Sequence, residues 1–186
     1  LAMIGFLGML GVYFLVRSLR THATLSRLVA IGEPDELVRR ADVQIRGAQG
    51  AGRFVGRSPA PFHIYKAIGI WLRGDDAGAE AELARAAAAR DGGRLSGVWR
   101  HLHDTTRLRI LCLRGDAAAA RSLWDTQLAG RLLGSPAVAD LERREAEALL
   151  AWVEGDDTAC AAQAGRLASD NRLAAAPRAL YHLLAG

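Results

Sequence analysis

A chain of 186 residues that is 51% hydrophobic can bury one core or one short solenoid, but not two large domains. Five prolines, two cysteines and 6% aromatic residues exclude collagenous, disulfide-framework and disordered classes. The net charge of +4 sits wholly in residues 17–60, where eight arginines face four acids, while the rest balances at sixteen of each sign, which argues against a nucleic-acid-binding face.

Residues 1–16 carry no charge and include Met3, Ile4, Phe6, Leu7, Leu10, Val12, Phe14 and Leu15. They predict a transmembrane anchor over residues 1–20. A full span takes about 20 apolar residues, so the native chain is expected to extend further upstream. No basic stretch precedes the run and no small-residue cleavage site follows it, unlike a secretory signal peptide. Arg17, Arg20 and Arg27 come next, and positive charge beside a span stays on the cytoplasmic side, so a single-pass protein with a cytoplasmic body is expected. Ala2, Gly5, Gly8 and Gly11 recur every third residue and offer a shallow groove to another helix of a membrane-protein complex.

The helical pattern continues to Gly32. Pro34 suits a first helical turn, and Leu37, Val38, Ala41 and Ile45 follow as an apolar stripe. Residues 21–58 thus form a juxtamembrane hairpin and a glycine-rich loop, with Arg39 and Arg40 joining the membrane-proximal basic set against lipid headgroups. The loop Gly47 to Ser58 lacks the Lys-Ser/Thr ending of a phosphate-binding loop and no strand precedes it.

Residues 59–186 read as helices separated by glycine turns. Phe62 to Leu72 leaves only a narrow polar stripe, so it is covered on several sides. Asp76 to Arg90 is alanine-rich, with Leu83 as its one large apolar residue. The next pair runs from Leu95 to Leu113 and from Ala117 to Leu133. Ser135 then caps a helix that opens on Pro136, Asp157 to Ala168 follows, and Ala176 to Gly186 is expected to cover the end of the stack. Alanine runs such as Ala86 to Ala89 favour helix, so the fold class is all-α.

One punctuation mark organises this order. Gly32, Gly74, Gly115 and Gly155 are spaced by 42, 41 and 40 residues, and Glu33, Asp75, Asp116 and Asp156 follow them. Such a glycine closes one helix in the left-handed conformation and the aspartate caps the next. Ala79, Ala120 and the small Cys160 stand five residues after a glycine, Leu83 and Trp124 four further on, and Ala67 and Ala148 midway along a first helix. This pattern resembles the tetratricopeptide repeat. The period of about 40 exceeds that family's ~34. Its closing proline is absent, Leu108 fills a small-residue slot, Leu37 stands for the turn alanine, and Ala164 replaces a large residue. The resemblance implies antiparallel hairpins stacked as a short solenoid, whose first helices line a concave surface. It places Ile68, Trp71, Arg109, Cys112, Leu149 and Trp152 at slots that would contact a protein or peptide partner. Large aromatics at helical spacing also serve as core, which applies to Trp71 and Trp152. Arg109, where neighbouring units carry apolar residues, is either solvated or awaits a carboxylate.

Cys112 and Cys160 lack redox or zinc spacing and read as small buried hydrophobes. His101 and His103 project about 200° apart on a helix, which suits a solvated surface better than one metal. Glu142, Glu145 and Glu147 alternate with Arg143 and Arg144 as a mixed-charge face. No catalytic motif, metal set or cofactor fingerprint appears. The expected function is a membrane-anchored scaffold or accessory subunit. The alternative is a regulatory fragment of a membrane enzyme whose catalytic part lies upstream of residue 1.

Overall fold

The computed structural model describes residues 2–50, 58–89, 97–131 and 136–170, apart from the side chains of residues 2–15, 17 and 136–138. Of the loop expected from Gly47 to Ser58, Gly47, Ala48 and Gln49 are instead the last helical turn before Gly50, and residues 51–57 lie outside that set, as do the Asp91-Gly92-Gly93 stop, the Ser135 cap and the expected terminal half-unit. Among the described residues the fold is all-α, without strand. The helices are α1 (Ala2–Ile31), α2 (Pro34–Gln49), α3 (Ala60–Leu72), α4 (Asp76–Ala88), α5 (Gly97–Arg114), α6 (Ala117–Leu123), α7 (Pro136–Glu154) and α8 (Asp157–Ala168). A π-helical turn, Trp124–Leu128, continues α6, where the Ala129 amide reaches back to the Trp124 carbonyl at 2.9 Å. This departs from the unbroken helix expected to Leu133.

The four punctuation glycines adopt positive φ, at 71° (Gly32), 82° (Gly74), 85° (Gly115) and 77° (Gly155). Each closes a helix with the same two bonds. At Gly115, for example, its amide donates to the Cys112 carbonyl at 2.9 Å, and the Asp116 amide donates to Leu111 at 3.0 Å. The following aspartates then cap the next helix, Asp75 accepting from the Gly78 amide, Asp116 from Ala119 and Asp156 from Ala159. Glu33 makes no such cap, and α2 starts instead on Pro34. Two residues therefore end one helix and begin another, which folds the pair back on itself.

Burial follows the repeat register. The residues five past each glycine, Leu37, Ala79, Ala120 and Cys160, and those nine past, Ala41, Leu83, Trp124 and Ala164, are all buried. Leu37 with Ala41 reverses the small-then-large order of Ala79 with Leu83, so the first unit exchanges volume between two positions one turn apart. Close approach accompanies this. A Cβ on Gly69 of α3 would fall 2.7 Å from Val38 Cγ2 and 3.2 Å from the Pro34 carbonyl oxygen of α2.

Three cores succeed one another. The first joins Leu25 of α1 to Leu37, Ala41 and Ile45 of α2, to Phe62, Ile64 and Ile68 of α3, and to Leu83 of α4. The boundary expected near residue 20 falls inside α1, whose second half packs with the repeats. The second core gathers Leu108 and Leu111, Leu123, Trp124 and Leu128, and Leu149 and Leu150. The third sets Ala148 of α7 against Ala164 and Leu167 of α8. Ile110 of α5 belongs to the first core, locking neighbouring units together. Among the described residues no helix is long and apolar enough to cross a membrane, and most side chains of the expected anchor lie outside that set.

Candidate functional site

The first helices α1, α3, α5 and α7 pack in succession and enclose a groove of about 420 Å³. On α5 it is lined by Val98, His101, Leu102, Thr105, Leu108 and Arg109, spaced by three and four so that they share one face. Ser26 and Val29 of α1 and Tyr65 and Ile68 of α3 form one wall. Glu142, Glu145, Ala146 and Leu149 of α7 form the other.

The α1 and α3 wall is aromatic. The Tyr65 and Ser26 hydroxyls lie 3.0 Å apart, and the Tyr65 ring meets Trp99 edge-on with centroids 6.2 Å apart. Burial pushes the Tyr65 phenol above its ordinary value, opposed by the Ser26 hydrogen bond, so it stays a neutral hydroxyl. Behind it His22 stacks on Phe62, with centroids 5.4 Å apart and planes 3° apart.

The α7 wall is ionic. His101 Nε2 lies 2.8 Å from Glu142 Oε2, and Arg109 donates from Nε and Nη2 to Glu145 Oε1 at 3.0 and 2.6 Å. A carboxylate only accepts, so Nε2 of His101 carries the proton that faces Glu142. Nδ1 of the same ring is buried without a hydrogen-bond partner among the described residues.

These contacts correct three expectations. Arg109 is not awaiting an outside carboxylate, because Glu145 already holds it. His101 and His103 are not a solvated surface, since their side chains are only 11% and 13% exposed. His103 Nδ1 lies 2.8 Å from Asp104 and Nε2 reaches the Leu83 carbonyl at 3.3 Å. Glu142 and Glu145 are not a free mixed-charge face, because both turn onto α5.

Of the six expected partner-contacting residues, the groove brings together Ile68, Arg109 and Leu149. Trp71 packs half-buried against the first core, and Trp152 stands exposed outside the groove lining. Cys112 has no exposed surface at all, and burial, with the Glu154 charge, pushes its thiol up to about 12. It offers nothing to a partner while the fold is closed. Sequence reasoning missed Val98, Thr105 and Glu142. The four-residue spacing from His101 through Thr105 to Arg109 was the available signal.

Comparison with protein-family models, curated proteins and solved structures finds no match to this chain. The site therefore rests on its own geometry. A second polar cluster lies outside the groove. Glu82 of α4, only 2% exposed, meets His63 Nδ1 at 2.7 Å and Lys66 Nζ at 3.1 Å and also bonds Arg85. Lys66 in turn reaches Asp42 of α2 at 2.8 Å, so one charged seam ties α2, α3 and α4. Among the described residues no group of three His, Cys, Asp or Glu side chains suits a metal ion.

Proposed function

We propose that this chain is a membrane-tethered helical-repeat module, resembling tetratricopeptide repeats, whose groove takes a segment of a protein or peptide partner. The observation that carries the reading is the groove itself, walled by the first helix of every unit from α1 to α7. Its lining is largely apolar, through Ile68, Leu102, Leu108 and Leu149, with the Ser26 and Tyr65 hydroxyls on one wall and the charged groups at the other, the arrangement of a site that fixes orientation with few polar groups. His101 Nδ1, buried and without a hydrogen-bond partner among the described residues, is a ring nitrogen that a polar group of the partner would satisfy. The module serves as a scaffold or accessory subunit and carries out no catalysis of its own.

Tethering is supported by the uncharged run over residues 1–16 and the arginines that follow it, which also favour a cytoplasmic body. Val16, the last residue of that run, and Leu19 just past it keep 40% and 60% of their surface exposed.

Photo-crosslinking in cells tests the groove. A crosslinking residue at Val98, exposed in the groove, should yield a discrete protein adduct, whereas one at Val43, exposed on α2, should not. Equal labelling from both positions would remove the groove from the reading. Alkaline carbonate extraction tests the tether separately, since release into the supernatant would end it and leave the groove untouched.

A further inference from the structure

The basic segment contains a cleft that the groove reading does not use. Arg20, Thr21 and Thr24 of α1 face Arg40 and Gln44 of α2 across a cavity of about 370 Å³ floored by Leu25. Among the described residues no carboxylate lines it. Arg20 makes no ion pair among the described residues. Arg40 spends only Nε, on Glu36 Oε1 at 2.5 Å, which leaves both terminal nitrogens to donate elsewhere. Glu36 is shared with Arg39 and stands outside the lining, so the cleft keeps its positive charge. Thr24 is already turned to the α1 backbone, its hydroxyl donating to the Arg20 carbonyl at 2.9 Å. The donors that converge are therefore two guanidinium groups from two helices, Arg20 of α1 and Arg40 of α2.

We propose that this cleft between α1 and α2 binds a phosphate group. A tetrahedral oxyanion presents oxygens to both guanidinium forks at once, which a single flat carboxylate does less well, and phosphate carries enough charge for two arginines. The cavity exceeds a lone ion, and Val16, an exposed aliphatic residue, forms its open edge. Cationic donors beside an apolar edge match the phosphate of a lipid headgroup, although free phosphate shares the chemistry. The site does not depend on the groove or on membrane insertion, because water-soluble ligands can probe it.

The test is titration calorimetry of the full chain in neutral detergent, with inorganic phosphate, dihexanoyl phosphatidate and, as a zwitterionic control, dihexanoyl phosphatidylcholine. Saturable binding of at least one of the first two is expected. Arg20→Gln and Arg40→Gln should each weaken it roughly tenfold, about 1.4 kcal/mol, while Arg27→Gln and Arg46→Gln, at exposed positions outside the cleft, should change it less than about twofold, with far-UV circular dichroism unchanged throughout. Tighter binding of phosphatidate assigns the natural source to a lipid; equal or tighter binding of inorganic phosphate assigns it to a soluble ion. No saturable binding of either, equal binding of the phosphatidylcholine analogue, or equal weakening by Arg27→Gln and Arg20→Gln would overturn the site.

Discussion

Arg109 of α5 sits on Glu145 of α7, donating from two nitrogens to one carboxylate oxygen at 3.0 and 2.6 Å. The pair joins two consecutive first helices across the groove, so its energy is an inter-unit coupling. Glu145 is 14% exposed and Arg109 34%, so water screens the attraction in part. A double-mutant cycle of Arg109→Ala and Glu145→Ala in urea denaturation should give a coupling of about 1 kcal/mol, shrinking in 1 M salt. Additive single effects would show that the pair contributes nothing.

Gly74 and Asp75 make a second prediction. Gly74 holds φ at 82°, where a β-branched side chain is strained, and Asp75 caps α4 through the Gly78 amide at 2.8 Å. Gly74→Val should destabilise by roughly 1–2 kcal/mol and Asp75→Ala by about 1 kcal/mol. Thermal or urea melts would detect both, and a neutral Gly74→Val would mean that the turn tolerates another geometry.

Those turns were legible because their cause is local. Only glycine accepts the positive φ, and only a short acceptor side chain reaches the third amide, so the four repeats could be phased from residues adjacent in sequence. Leu37 seemed a departure because the pattern asks for a small residue there. Its partner Ala41 restores the volume, a trade visible only once both are seen to face the same core. The groove was less legible because its charges pair across units. His101 and Glu142 stand 41 residues apart, one whole period, yet each reads alone as an ordinary surface residue. The π turn at Trp124–Leu128 has no marker, since alanine-rich sequence around it favours a plain helix.

Glu82 predicts an acid-sensitive stability. Burial pushes its carboxyl up, but hydrogen bonds from His63 and Lys66, with their charge, outweigh this and hold it below the ordinary 4.5. A depressed native value stabilises the fold fully above the unfolded value, and that contribution disappears as pH falls through the native one. Urea melts from pH 7 down to pH 3 should therefore lose stability below about pH 4.5, and Glu82→Gln should flatten that part of the curve. Glu82→Ala should cost roughly 3 kcal/mol at pH 7, because Lys66 and His63 would lose a buried partner.

Cys112 and Cys160 should be silent toward thiol reagents. Both are buried, and burial raises both thiols, Cys112 to about 12, so almost no thiolate exists at pH 8. Ellman's reagent should react with neither in the native protein and with both in 6 M guanidinium. Rapid native labelling of one thiol would reveal a local opening of its unit.

Val98 and Trp152 separate the groove from the remaining surface. Both are exposed, at 65% and 37%, so neither substitution has to disturb a core, but only Val98 lines the groove. Val98→Glu adds a charge to the groove lining, where its desolvation opposes an incoming apolar segment. It should abolish the groove-dependent adduct while leaving helicity and melting temperature unchanged. For this the crosslinking residue is placed at Thr105, half-buried in the same groove. Trp152→Ala should leave that adduct intact, because Trp152 stands outside the lining. The opposite result, loss with Trp152→Ala and retention with Val98→Glu, would move the partner to the outer face of α7.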